Sequence, residues 1–305
     1  MNNRIGDTTV RHTSLFLLYG LLGAAPFVGA VAGLPFFPPV LFAALRIDVG
    51  AVILVGLVLL RGGYWMPRTR ADSVAVLVTG VLTLGGNIAF VFIGQQYVTS
   101  ATGAVIYSLA PVVTAGFASV LLPAERLGVL GAAGVVLGFI GASIVANPDF
   151  SNVVTETTQG MGFVFLSTTS FAVGNVLTKR VDPDLPSLTL TAWGLVIAGL
   201  FVHSVSLLRG ETIGQIEWTR QALLALFTVG VLATAVLYGV HFELVGAIGA
   251  TKTNLAYYVH PVSTAIAGHL LLGERIPGSS IVGLGTICLG FLLIEWRTVS
   301  RIYRR

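Results

Sequence analysis

The sequence predicts an all-α membrane protein, with ten transmembrane helices arranged as two inverted five-helix repeats and both termini cytoplasmic. Three observations lead there. First, 55% of the 305 residues are hydrophobic and 10% are charged, with a mean hydropathy of +0.89. A soluble domain carries about 25% charged residues, so the composition excludes a water-facing globule. Second, apolar runs of about 20 residues, the length that crosses a bilayer as a helix, recur from end to end. Third, the stretch Ala101–Arg126, ATGAVIYSLAPVVTAGFASVLLPAER, returns 150 residues later (257 − 107 = 150). Tyr107, Pro111, Val112, Thr114 and Ala115 match Tyr257, Pro261, Val262, Thr264 and Ala265, and a one-residue gap at Pro123 aligns Glu125-Arg126 with Glu274-Arg275. Repetition over this distance marks two homologous halves and fixes their register.

The first span is read at 14–34. Arg4 and Arg11 precede it, and Ala30-Val31-Ala32 has the look of a cleavage site. A signal-peptide core is usually about 7–15 residues; this run is longer and opens a row of similar spans, so it is read as a retained helix. The second span, 37–60, needs an argument. Val49 to Arg61 is only thirteen residues (61 − 49 + 1), too few to cross. The helix must start upstream, at the Pro38-Pro39 pair, which suits a first turn. Arg46 and Asp48 are thereby drawn into the membrane, Arg46 on the order of 10–14 Å below the entry at 1.5 Å per residue. The remaining spans are read at 73–94, 101–122, 127–146, 160–179, 187–208, 221–242, 252–272 and 278–296. Their frequent glycines suit close helix packing.

Lysine and arginine placement gives the topology. With the N-terminus inside, twelve basic residues fall on inner segments and three, Arg209, Arg220 and Arg275, on outer loops, Arg46 and Lys252 being set aside as membrane or border residues. That imbalance favours both termini in the cytoplasm. It also explains the net charge of +4 and the pI near 9.5 without nucleic acid. The chain then divides into a cytoplasmic segment 1–13, a first repeat 14–146, an outer linker 147–159, a second repeat 160–296 and a basic tail 297–305. Five spans per half is odd, so the halves cross in opposite senses. Pro39 and Pro186, each seven residues ahead of a large side chain (Arg46 and Trp193), agree with that alignment. Inverted repeats are characteristic of transporters, whose sites lie near the midplane.

These residues resemble the EamA-type members of the drug/metabolite transporter superfamily. The likeness rests on ten spans in two halves, on a fourth helix of the form small-residue…Pro…Glu-Arg-Leu/Ile at 101–127 and 251–276, and on Pro39-x6-Arg46 in helix two. The resemblance implies a multi-pass plasma-membrane transporter. Similar proteins export or exchange amino acids, other metabolites or drugs, and related branches carry nucleotide sugars and sugar phosphates.

Several residues then become candidates. Pro111 and Pro261 displace the helical bonds to the carbonyls of Tyr107 and Tyr257, giving either a gating hinge or a packing kink. Arg46 is costly in lipid, about 2.5–3.5 kcal/mol on insertion scales; it either meets an anionic group of the cargo or is neutralised by another helix. Asp48, two positions on, points elsewhere and is read as a proton or cation carrier. Lys252, Glu243 and His241 border spans eight and nine. Lys252 either greets an acidic cargo or snorkels to the interface, and Glu243 is a second coupling candidate. Asn87, Asn175, Asn254, Gln95 and Gln96 are read as interhelical glue or cavity lining. Trp193, Phe90 and Tyr258 are read as lining or packing, and His260 and His269 as proton carriers or packing. Gly134-x3-Gly138 packs helices within the chain or in a homodimer. Cys288, the single cysteine, forms no internal disulfide and is read as inert packing.

No nucleophile–base pair is found. Segment 246–253 lacks the phosphate-loop glycine before its lysine, and His241-x-Glu243 is not a zinc motif. No enzyme activity, metal or cofactor is expected; the partners expected are a small solute and the bilayer. The expected cargo site is Arg46, Asn87, Tyr107, Trp193, Lys252, Asn254 and Tyr257. The expected function is alternating-access transport of a small metabolite, an amino acid or similar amphipathic solute, by an exporter or exchanger. A carrier of phosphorylated sugars or nucleotide sugars and a narrow solute channel are the alternatives.

Overall fold

The computed structural model describes residues 14–122, 128–146, 155–248, 253 and 259–294. Glu125, Arg126, Lys252, Asn254, Tyr257 and Tyr258 lie outside the described residues. Among the described residues the regular structure is entirely helical and forms ten rods. They are α1 (Ser14–Gly33), α2 (Pro39–Arg61), α3 (Arg70–Gly94), α4 (Ser100–Leu121), α5 (Val129–Ala146), α6 (Glu156–Val181), α7 (Ser187–Leu208), α8 (Arg220–Val245), α9 (Val259–Leu272) and α10 (Gly278–Ile294). Seven of these, α1–α4 and α6–α8, are long and apolar enough to cross a membrane; α5, α9 and α10 are shorter apolar helices.

Local chemistry sets the ends. Thr69, Thr99, Thr155 and Thr219 each accept a backbone N–H in the first turn of α3, α4, α6 and α8, satisfying one of the four donors a helix start leaves open. Asp72 completes a capping box with Thr69 and also accepts the Tyr64 hydroxyl. That hydrogen bond holds the Tyr64 phenol above its ordinary pKa. Pro38 and Pro186 stand at the N-caps of α2 and α7. Several of these markers recur one repeat apart: Thr69 with Thr219, Pro38 with Pro186, and the positive-φ glycines Gly62 and Gly210 that follow α2 and α7.

The helix contacts repeat in the same way. Helix α5 packs on α10 and α2 on α7. The pairs α3–α6, α3–α7 and α4–α6 have counterparts in α8–α1, α8–α2 and α9–α1, and α4 meets α9. Exchanging each helix for the one five places on maps these pairs onto one another. The α5–α10 contact uses the small-residue motif internally. A Cβ at Gly141 would stand 2.8 Å from the Gly283 carbonyl, and Gly134 and Gly290 face each other similarly, so backbone approaches backbone.

Both third helices contain a π-helical stretch, Thr79–Gly86 in α3 and Thr228–Val236 in α8. Each includes Gly-Val-Leu, at 80–82 and at 230–232, offset by the same 150 residues. A neighbouring helix donates a hydrogen bond to a carbonyl of each stretch. The Ser170 hydroxyl donates to the Leu82 carbonyl (2.8 Å) and Arg46 Nη2 to the Ala233 carbonyl (3.4 Å).

Connections gather at two opposite ends. At one end the Thr189 hydroxyl and the Trp193 indole N–H donate to the carbonyls of Tyr64 and Trp65. We call this the 182–186 face. At the other, the Glu217 N–H donates to the Phe36 carbonyl (2.9 Å) and Glu211 accepts the N–H groups of Val40 and Leu41. We call this the 209–219 face.

Candidate functional site

A cavity of about 620 Å³ lies between the two sets of helices, lined by residues from every rod except α5. Its size falls within the range of small-molecule sites. Three levels follow from one end to the other.

At the deep end sits Arg46, 5% exposed. Its Nε donates to Thr234 Oγ1 (3.1 Å) and its Nη2 to the Ala233 carbonyl, both in the π-helical stretch of α8. The guanidinium carbon lies 5.7 Å from the centre of the Phe92 ring. Among the described residues no carboxylate pairs with Arg46. Its immediate partners are neutral dipoles and a π face, which offset part of the desolvation of its charge and leave the charge itself uncancelled. Beyond Phe92 the rings of Phe42, Phe37 and Trp218 follow in contact, with centroids 5.1, 4.4 and 5.9 Å apart in succession. This aromatic column seals the cavity from the 209–219 face.

The middle level is built on Tyr107. Asn87 Nδ2 donates to its hydroxyl (3.2 Å), and Ser167 donates to Asn87 Oδ1 (2.6 Å). The Tyr107 ring packs between Phe27 (5.6 Å) and Phe171 (5.8 Å). Immediately after Tyr107, α4 breaks. Ser108 N–H is shared by the Ala104 and Val105 carbonyls, Leu109 N–H turns to Ile106, and the helix restarts at Ala110 with Pro111 in its first turn. The proline thus falls where a helix start has an unpaired N–H anyway.

The mouth opens toward the 182–186 face, where Lys179 and Ser187 line it beside Tyr19, His241 and His260. The Tyr19 ring contacts both imidazoles (5.5 and 5.1 Å), with His241 Nδ1 3.0 Å from its hydroxyl. Gly23 makes room for His260: any Cβ there would overlap the ring.

At the opposite face two acids bridge helices of the two halves. Glu211 follows Gly210 and Glu274 follows Gly273, both glycines at positive φ. Each glycine lets the chain reverse after a helix, with the Schellman-type bonds Glu211 N–H to Ser206 O and Glu274 N–H to Gly268 O. Glu211 then caps the start of α2, and Glu274 caps the start of α4 through Ser100. A carboxylate at a helix N-terminus is favourable through both the free N–H groups and the helix dipole.

Arg46, Asn87 and Tyr107 therefore share one cavity, together with Asn175 and Pro111. Pro261 is buried in the first turn of α9, and residues 254–258, which precede that helix, are outside the described set. Trp193, expected at the cargo site, is absent from the lining, and its N–H is engaged by the Trp65 carbonyl (2.8 Å). Asp48 also lies off the cavity. Its Oδ2 is 2.7 Å from His203 Nε2, with side chains 44% and 39% exposed on the flank of α2 and α7. Glu243 is exposed and does not line it. Phe90 stacks on Phe163 outside it, and His269 bonds the Glu274 carbonyl. The sequence reading missed Tyr19, Phe27, Thr234 and Tyr238. Single aromatics in apolar spans carry no signal of their own, but the doubled Gly-Val-Leu would have pointed to α3 and α8.

Comparison with known proteins agrees with this architecture. A family model described as the EamA-like transporter family matches the chain twice, at residues 13–147 and 158–296. The uncharacterized transporter YoaV of Bacillus subtilis (strain 168) is 25% identical over 273 residues, covering 90% of this chain and 92% of that protein. The uncharacterized inner membrane transporter YedA of Escherichia coli (strain K12) is 24% identical, covering 92% and 89%. A chloroplastic WAT1-related protein of Arabidopsis thaliana is 24% identical over 86% of this chain and 64% of its own length. One solved crystal structure superposes with a TM-score of 0.62 at 19% identity, covering 95% of this chain and 98% of that one, a likeness of fold.

Proposed function

Because the chain belongs to the EamA-like transporter family, we propose that it is a ten-crossing secondary carrier that moves a small amphipathic solute across the plasma membrane by alternating access, as an exporter or exchanger. The repeats are 14–146 and 160–296, inverted relative to each other. The twofold family match, the exchange pattern of helix contacts and the paired π-helical stretches support that division. The 182–186 face is cytoplasmic, on the strength of the basic residues that gather there.

The observation that carries the reading is one cavity between the halves, open to one face and sealed from the other. Arg46 waits at its closed end, Asn87 and Tyr107 line its middle, and Lys252, Asn254 and Tyr257 are the proposed contribution of the second repeat. The seal consists of the aromatic column and of second-half acids capping first-half helices. Transport requires those contacts to release as equivalent ones close the cytoplasmic mouth, with α4 and α9 bending at Pro111 and Pro261. A site between repeats, reached alternately, needs no catalytic group.

The test is counterflow in proteoliposomes. Saturable uptake accelerated by solute on the opposite side is expected. Single-channel conductance, or flux that does not saturate, rejects a carrier.

A further inference from the structure

This inference rests on the carrier reading and concerns its cargo. An amino acid, the expectation from sequence, is a zwitterion, best matched by two opposite charges in its site. The cavity wall offers one. Among the described lining residues the charged side chains are Arg46 and Lys179, both cationic, and no aspartate or glutamate lines the space. The acids nearest in sequence or structure are engaged elsewhere. Asp48 faces His203 on the flank, Glu211 and Glu274 cap helices behind the seal, and Glu243 is exposed outside the lining. Two of the uncharged acceptors are in use, while the Thr83 hydroxyl has no partner among the described residues and Asn175 also lines the space. Asn87 Oδ1 already accepts from Ser167, and Thr234 Oγ1 from Arg46.

A desolvated ammonium needs a carboxylate or several oriented acceptors. Here the lining gives it scattered hydroxyl and amide oxygens and, among the described residues, no carboxylate. A carboxylate meets a different situation. Arg46 uses Nε and one N–H of Nη2 on α8, leaving Nη1 and the second Nη2 N–H for a ligand, the fork that suits a carboxylate. Toward the mouth the wall continues with Phe27, Tyr107, Phe171 and Tyr238, an apolar sleeve for the rest of the molecule.

We propose that the cargo is an organic monocarboxylate with an aryl or branched-alkyl body and no ammonium group. Its carboxylate sits on Arg46 and its body lies among the rings at Tyr107. Lys179 also lines the mouth.

Matched compounds test this directly. Thermal shift and counterflow on the purified full chain at pH 7.5 are compared for 3-phenylpropanoate, phenylalanine, 2-phenylethylamine and phenyl phosphate, and for 4-methylpentanoate against leucine. The expected result is half-saturation by each carboxylate at least tenfold below that of the amino acid with the same side chain, with no response to the amine. Arg46→Gln, and Arg46→Lys as a variant that keeps the charge, are checked for unliganded melting. Arg46→Gln should abolish the preference and Arg46→Lys should retain part of it.

If the amino acid binds as well as or better than its deaminated partner, the inference is overturned and the carrier reading stands. Tighter binding of phenyl phosphate overturns the carboxylate class, and an unchanged preference in folded Arg46→Gln overturns the site. Conductance without saturable counterflow overturns the carrier reading, and this inference with it.

Discussion

The Glu274 carboxylate, in the turn after α9, accepts both the backbone N–H (2.9 Å) and the hydroxyl (2.6 Å) of Ser100, the first residue of α4. One side chain thus joins the last turn of a second-half helix to the first turn of a first-half helix. Gly268 fits beneath the pair, and a methyl there would stand 2.5 Å from both Glu274 Oε2 and Ser100 Oγ. Glu274→Ala should lower stability by about 1–2 kcal/mol, less than a fully buried charged pair would lose, because the site is partly solvated. Gly268→Ala should loosen the same contact while keeping the carboxylate. Both should raise labelling of Thr102→Cys by an impermeant maleimide added from the 209–219 face, in a Cys288→Ser background. Labelling equal to the parent protein in both variants would show that this contact does not hold the face closed.

Gln95 gives a second prediction. It is 3% exposed at the sealed end of α3, and among the described residues neither amide atom has a hydrogen-bond partner. A buried unsatisfied polar group costs about 1–3 kcal/mol. Gln95→Met keeps the length and removes the penalty, so melting should rise by the equivalent of about 1–2 kcal/mol. If the amide finds its partners in the alternative conformation, the same change should slow counterflow by favouring the sealed state. A lower melting temperature would show that the amide is satisfied where it stands.

How much of this was legible in the sequence follows from the physics of each signal. Membrane-length runs and the Tyr…Pro repeat are local patterns; seven helices of spanning length fall close to the spans read from them, and α5, α9 and α10 are shorter apolar helices within three more. The start of α2 at Pro39, and hence the depth of Arg46, followed from counting residues. Side-chain direction did not. Asp48 and Arg46 are two positions apart on one helix, yet one faces His203 on the flank and the other the cavity. The sequence could show that they diverge, but not which one points inward. Trp193 matches Arg46 by the Pro39/Pro186 spacing, whereas the structural markers Pro38/Pro186 and Gly62/Gly210 pair Arg46 with Gly194 (46 + 148 = 194), and the Trp193 indole serves a loop carbonyl. Pseudo-symmetry fixes where a residue stands, not what its side chain meets. The π-helical turns were missed because periodicity was sought at 3.6 residues, and their mark, a repeated Gly-Val-Leu, is short.

The flank position of Asp48 gives a third prediction. A coupling carboxylate must exchange protons or cations with the transport path, and Asp48 lies off that path beside His203. Asp48→Asn should leave counterflow and its pH dependence within about twofold of the parent protein, while weakening the α2–α7 contact by about 0.5–1 kcal/mol. Loss of the pH dependence of uptake would restore Asp48 as the coupling residue.

The break in α4 gives the last prediction. Pro111 lies in the first turn after the break, where its missing N–H leaves no bond unmade. The turn at Ser108 and Leu109 is closed by tighter bonds of its own and by the Ser108 hydroxyl on the Val105 carbonyl (2.6 Å). Pro111→Ala should therefore change stability little, within about 0.5 kcal/mol, because nothing that holds the resting shape is removed. What it adds is an N–H able to donate to the Tyr107 carbonyl, which lets α4 run on as one straight helix. That would swing Tyr107 away from Asn87, Phe27 and Phe171, the contacts that define the middle of the cavity. Counterflow should fall at least tenfold with melting unchanged, a separation that simple loss of packing does not produce. An equal loss of stability and transport would make the break a packing feature, and full transport in a folded Pro111→Ala protein would remove the hinge from the mechanism.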